Sequence, residues 1–398
     1  MRQLYNVTSE QIKFPRMGLS LFVFTFFFTM KISFLLNINE YFILGLLVIF
    51  LSIFSLSRPN YFSISYKTKI SMFLFYIGAL LYIRGNLNAY IEITLLVIPF
   101  ILFVALKDVF KFQILQSFDK LLSITVALSL FAWILFLLGV PLPHYDFDWN
   151  SYNFDNYYFF LKQRDIISFY SFPRFQYVFT EPGYFACLCS FMMYLRRYSF
   201  KDWQTIVYLI AVVMTYSLAG YVFLFLGLFV YMMQQKTGRI KYALFFISLI
   251  LLFLVFLKSD NENVISSMFA YRLEYSGNSF SGNNRTSESF NVWWNTYFVH
   301  YGDWFWGEND LVNNYFAGDN LVGVDLRAFT ARYGVIPLLF YFGSMIYYYF
   351  SKPSRLGLFF LLLFLLFYYR GYTVMFYMGF PMLYVTGICL FNKKLCKL

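Results

Sequence analysis

Histidine is nearly missing from this chain: His144 and His300 are the two in 398 residues. No Cys/His cluster has metal-ligand spacing, which argues against a transition-metal site. Neither a Walker A motif nor a glycine-rich dinucleotide fingerprint occurs, which disfavours ATP-driven transport and nicotinamide redox chemistry. Four cysteines are present. Cys187, Cys189 and Cys389 lie in apolar runs and Cys396 in a basic tail, so no disulfide framework is expected. Charge is scarce: 13% of residues are Asp, Glu, Lys or Arg, against about 25% in soluble domains. Glu92 is the only carboxylate well inside an apolar run. It is either a hydrogen-bonded interhelical contact or a functional group, and alone it is too little for a proton relay. The polar N-terminus lacks a cleavable signal pattern, so the first apolar run is expected to stay as a helix. No solenoid-period repeat is found.

What is abundant is apolar surface. Hydrophobic residues make up 60% of the chain, more than water would let it hide, so lipid is the expected solvent. The expectation is an all-α polytopic membrane protein with about twelve spans. They are 17–36, 41–56, 70–83, 89–106, 121–140, 182–195, 204–216, 219–233, 240–257, 326–350, 356–368 and 374–391. The 204–216 run is short and is either a full span or a tilted, re-entrant helix broken near Ser217–Gly220. Three sections follow: membrane helices over 1–257 with an outer loop at 141–180, an extracytoplasmic loop over 258–325, and membrane helices over 326–398.

The net charge of +11 does not imply nucleic acid, because cytoplasmic loops are rich in Lys and Arg. With both termini inside, 20 basic residues fall on the inner side and 10 on the outer. The acids show the opposite bias, 4 inside and 15 outside. A multi-pass membrane protein with both termini cytoplasmic satisfies both biases. The long polar segments 141–180 and 258–324 then lie outside, where loops of this length are functional or ordered by partners.

Several outer residues invite chemistry. Pro182 after Glu181 suits a helix start, so Glu181 is either a cap or, with Arg174, part of a charged-ligand site. Residues 287–301 read as a helix capped by Thr286 or Ser287, with aromatics three and four residues apart. Arg272, Arg285, Arg327 and Arg332 stand where positive charge is disfavoured. Asp325, Phe329 and Arg332 share one helical face, so Asp325–Arg332 is either an ion pair or a ligand site. Guanidinium binds phosphate through a planar fork and keeps its charge, so a diphosphate headgroup is the natural ligand. Trp293, Trp294, Trp304 and Trp306, with Tyr301 among the accompanying tyrosines, are either sugar platforms or an interfacial aromatic belt. Glu308 and Asp310 are the one alternative for Mg²⁺.

Four motifs together resemble the O-antigen and capsule polymerase (Wzy-like) family, which is related to the O-antigen ligases. They are Arg174 with Thr180-Glu181-Pro182-Gly183; Thr215-Tyr216-Ser217-Leu218-Ala219-Gly220; Asn284-Arg285-Thr286 with Trp293, Trp294 and Phe305-Trp306-Gly307; and Asp325 through Arg332-Tyr333-Gly334-Val335-Ile336. They span under half the chain. Asp325 stands where the ligase branch usually carries histidine, which favours polymerase. The resemblance implies a GT-C-like membrane glycosyltransferase joining undecaprenyl diphosphate-linked oligosaccharide repeat units, with no metal and no cofactor. Arg285 and Arg332 would stabilise the leaving diphosphate, with Arg174, Arg272, Arg327, Trp293, Trp294 and Tyr301 binding substrate. Glu181 or Asp325 would orient or deprotonate the acceptor hydroxyl. Expected partners are the lipid-linked oligosaccharide, membrane lipid and a chain-length regulator protein. The alternatives are a ligase and a lipid-linked oligosaccharide flippase or other transporter.

Overall fold

The computed structural model describes residues 14–30, 40–82, 87–149, 152–164, 173–233, 275–276, 279–280, 287–316, 325–371 and 377–392. Most of these residues are helical. Apolar runs long enough to bury a stripe become Arg16–Phe28, Glu40–Ser57, Tyr66–Tyr82, Leu87–Ala105, Pro182–Leu195, Trp203–Met214, Leu218–Met233, Arg355–Arg370 and Gly379–Phe391. The expected 240–257 span lies outside the described residues. Two expectations change. The basic link at 107–120 is not a loop; it is the start of one continuous helix, Asp108–Leu137, of 30 residues. At 1.5 Å per residue that helix is ~45 Å long. The 326–350 run is two helices, Leu326–Tyr333 and Val335–Ser351, interrupted at Gly334.

Among the described residues, Asp108–Leu137 alone is long and apolar enough to cross a membrane by length and composition. The other apolar helical stretches among the described residues, nine of them, are 10–17 residues long and fall short of that length. Their outward faces are nonetheless apolar. Phe42, Leu46, Ile49, Ile53 and Leu56 are exposed along one helix, and Leu121, Ile124, Leu128, Phe131 and Ile134 along another. A spacing of three and four residues makes each set one continuous stripe.

The chain forms two compact units. One comprises Asp119–Asn284. Its central helix, Pro182–Leu195, is buried at every residue. Gly220 lets the Leu218–Met233 helix approach it closely: a Cβ there would lie 2.4 Å from the Ala186 Cβ. At one end of the unit, the buried Arg196 is held by the Asp108–Leu137 helix on one side and by Asp202 and the Trp203–Met214 helix on the other, where Thr205 Oγ1 accepts from its Nε at 3.2 Å. Its guanidinium donates to Asp119 and, at 2.9 Å, to Gln204 Oε1, and Asp202 lies at 3.0 Å. Tyr208 Oη donates to the same Asp119 carboxylate at 2.9 Å.

This unit also carries the exceptions to the helical class, the larger of which is a three-stranded sheet. Residues 145–149 alternate aromatic and acidic side chains, a period of two that suits a strand. They form β1 (Tyr145–Trp149), paired antiparallel with β2 (Tyr152–Asn156), which pairs with β3 (Leu161–Gln163). Asp146 faces Asp155 across the first pair. Arg164 binds both carboxylates, and Lys162 lies 3.5 Å from Asp155. The sheet is anchored where Ser129 Oγ donates to the Phe159 carbonyl at 2.8 Å.

The other unit comprises Arg2–Phe118 and Arg285–Leu398. Its core is the fully buried Gly379–Phe391 helix. Small residues let Tyr66–Tyr82 press on Val335–Ser351: Ser71 Oγ donates to the Ser344 carbonyl at 2.8 Å, and a Cβ at Gly78 would lie 3.0 Å from the Tyr341 nitrogen. Such contacts replace the hydrophobic effect where helices share an apolar solvent. Asp108 accepts from Lys352 at 2.5 Å and from Lys111 at 3.2 Å, tying the start of the long helix to the end of Val335–Ser351.

Removing one partner of a buried ion pair strands the other charge. Asp119→Ala is therefore expected to destabilise the protein by about 3–5 kcal/mol. Asp119→Asn keeps one acceptor oxygen, enough for Arg196 or Tyr208 but not for both, and is expected to lose less. Denaturant unfolding in detergent micelles measures the difference, and equal losses would contradict the charge argument.

Candidate functional site

Two clusters carry the residues singled out in the sequence, one in each unit. In the first, the helix pair Trp203–Met214 and Leu218–Met233 is interrupted at Thr215–Ser217. An interruption releases backbone groups that need partners, and the segment before Pro182 supplies them. Arg174 Nε donates to the Thr215 carbonyl at 3.0 Å, and the Phe175 nitrogen donates to the Met214 carbonyl at 3.0 Å. Within the break, the Gly220 nitrogen donates to Ser217 Oγ at 3.3 Å. Thus the first two sequence motifs meet. Glu181 occupies the N-cap position of Pro182–Leu195, but its side chain makes no capping bond. Glu181 and Pro182 therefore mark the helix start as the sequence implied, without a capping hydrogen bond to the carboxylate.

The second cluster is built on the break at Gly334. The Leu326–Tyr333 helix begins at Asp325, whose Oδ1 accepts from the Ala328 nitrogen at 3.0 Å. Asp325 Oδ2 accepts from Arg327 Nε at 2.9 Å. Of the alternatives the shared face allowed, an Asp325–Arg332 ion pair does not form: Asp325 pairs with Arg327, two residues along, because the cap turns the carboxylate toward the first turn. Both oxygens of Asp325 are engaged, which weakens its candidacy as a base. Phe329 and Tyr333 rest on Tyr82, with ring centroids 5.7 and 4.3 Å away.

Gly334 has φ 78°, a left-handed conformation that favours glycine. The turn Trp304–Glu308 fills the break. The Val335 nitrogen donates to the Trp304 carbonyl at 2.8 Å, and the Glu308 nitrogen donates to the Ala331 carbonyl at 2.6 Å. The contact tolerates no side chain on either strand. A Cβ at Gly334 would lie 2.0 Å from the Phe305 oxygen, and one at Gly307, φ 71°, 2.5 Å from the Arg332 carbonyl carbon. The third and fourth motifs, far apart in sequence, are thereby locked together. Arg332 sits at the break, half-buried, and its Nε has no hydrogen-bond partner among the described residues.

The aromatics divide differently from expectation. Ser287 caps the loop helix, its Oγ accepting from the Phe290 nitrogen at 3.2 Å. The helix passes through a π segment, Trp294–Phe298. Trp293 and Trp294 are only 6% and 8% exposed, packed on Phe290 and Phe298. They form the core of the loop and are not sugar platforms. The exposed rings are Tyr301 (77%), Trp304, Phe305 (69%), Trp306 and Tyr315. Three of these belong to the turn that fills the Gly334 break. Their signal in the sequence was the adjoining Gly307. Arg272 and Arg285 lie outside the described residues.

One group has metal-like proximity among the described residues: His144, Asp146 and Asp155, with ligand atoms within 4.8 Å of one another. Arg164 already binds both carboxylates there and is held above its ordinary pKa, first by the Asp155 hydrogen bond. Glu308 Oε1 accepts from the Asp303 nitrogen at 3.2 Å. The chain matches no family model, no curated protein and no solved structure.

Gly334→Ala is expected to cost about 1–3 kcal/mol from backbone strain and to release the Trp304–Trp306 turn. Gly343→Ala is the control, because its Cβ would meet nothing within 4 Å. Iodide quenching of tryptophan emission should rise in Gly334→Ala alone. Unchanged quenching there would contradict the locked turn.

Proposed function

We propose that the chain is a polytopic membrane glycosyltransferase that polymerises lipid diphosphate-linked oligosaccharide repeat units, as the Wzy-like resemblance suggests. In this reading it has about twelve spans, a GT-C-like helical body and cytoplasmic termini, and it acts on the outer face of the bacterial plasma membrane. The exposed apolar stripes support lipid as the solvent, since soluble monomers rarely expose contiguous apolar patches above a few hundred Å².

The observation that carries the reaction class is Arg332. It is a guanidinium held at a locked backbone break, with Nε unpartnered among the described residues, beside exposed Trp304, Phe305 and Trp306. A fixed cation next to exposed rings suits a phosphate joined to a sugar. In the proposed step an acceptor hydroxyl oxygen attacks the anomeric carbon. The carbon–oxygen bond to the diphosphate breaks, and its electron pair leaves on the diphosphate. The hydroxyl proton passes to a nearby base. Preorganised cations stabilise the developing charge on the leaving group. Arg332 and Arg285 are assigned this role, with Arg174, Arg272 and Arg327 as candidate substrate-binding groups. Glu181 is retained as a candidate for orienting the acceptor.

Arg332→Ala is expected to abolish polymer while the protein remains at normal levels in the membrane. Arg332→Lys should restore less than about a tenth of the polymer, because lysine lacks the planar fork. A gel of extracted glycan reads both variants. Long polymer from Arg332→Ala would overturn the assignment.

A further inference from the structure

We propose that Glu308 is the carboxylate that receives a substrate hydroxyl beside Arg332. This rests on the function proposed above and adds a residue to the site. The backbone contact at the Gly334 break brings Glu308 to Arg332: its nitrogen bonds the Ala331 carbonyl at 2.6 Å, and Gly307 packs on the Arg332 backbone. Its carboxylate is then used on one side only. Oε1 accepts from the Asp303 nitrogen at 3.2 Å, which fixes the side chain. Oε2 is buried and has no hydrogen-bond partner among the described residues. The same holds for Arg332 Nε. The two backbones meet, the two side chains carry opposite charge, and no ion pair joins them among the described residues.

An unmet buried acceptor and an unmet buried donor each carry a desolvation penalty, and native structures explain nearly every such group by a partner. One ligand meets both needs if it offers a donor to Glu308 and an acceptor to Arg332. A sugar hydroxyl close to a phosphate does this. The neighbouring candidate is less suited, because both oxygens of Asp325 are already engaged by the Ala328 nitrogen and Arg327. The exposed Trp304, Phe305 and Trp306 lie in the same turn as Glu308 and would cover the apolar face of that sugar.

The test uses the full-length protein in nanodiscs and two probes: undecaprenyl diphosphate, and the same lipid diphosphate bearing the repeat unit extracted from the producing strain. Wild type should bind the sugar-bearing probe more tightly. Glu308→Gln should lose about tenfold of that preference, the scale of a charge-assisted hydrogen bond, while still binding undecaprenyl diphosphate. Glu308→Asp, which keeps the charge, should retain part of the preference, and its unfolding midpoint guards against misfolding. Full preference in Glu308→Gln would overturn the Glu308 assignment and leave the diphosphate site standing; a bridging water would then be the partner of both atoms. A wild-type protein that binds neither probe would overturn the proposed function and Glu308 with it.

Discussion

An apolar solvent offers no hydrogen bonds, so any break in a helix there must be satisfied by the protein itself. In the proposed membrane setting both candidate clusters answer this constraint. At Thr215–Ser217 the freed carbonyls are met by Arg174 and the Phe175 nitrogen. At Gly334 the freed nitrogens of Val335 and Ile336 are met by the carbonyls of Trp304 and Phe305. In each case the segment that repairs the helix is also the one that carries charged or aromatic side chains. Irregular backbone within a membrane protein is tolerated where it is buried in protein or lines a cavity, and these breaks therefore mark the places where chemistry can be held.

The electrostatics of the chain separate into two kinds of cation. Arg196, Lys352 and Arg164 are matched by carboxylates and hold structure together. Arg332 is not so matched among the described residues, and its Nε is orphaned. A buried charge with its counterion is a structural element; a charge whose donors are left over is disposed toward a ligand. The same distinction separates the carboxylates. Asp325 is absorbed into a cap and an ion pair, whereas Glu308 keeps one oxygen uncommitted.

Much of the helical framework was legible, because apolar runs bounded by polar links specify helices directly. The Pro182–Leu195 helix was read to the residue, since Pro182 marks its start. The break at Gly334 was hidden inside a run that reads as one span. It depends on a turn about thirty residues earlier, and only the glycines at 307 and 334 hint at it. Trp293 and Trp294 were misread because the three-four periodicity that marks a helix also marks its buried face. The β1–β3 sheet is written into the alternation of Tyr145-Asp146-Phe147-Asp148-Trp149, a signal that the length and polarity of the 141–180 outer loop mask. The Asp119–Arg196 pair spans 77 residues, and no local pattern could have joined them.

The central claim is that this chain forms glycosidic bonds with fixed cations and no added cofactor. The most direct measurement is incubation of purified protein with its lipid diphosphate-linked repeat units in excess EDTA and without nucleotide, with products resolved by size. The account predicts a ladder of lipid-linked oligomers. Movement of the lipid-linked unit across the bilayer with no product longer than one repeat would contradict it.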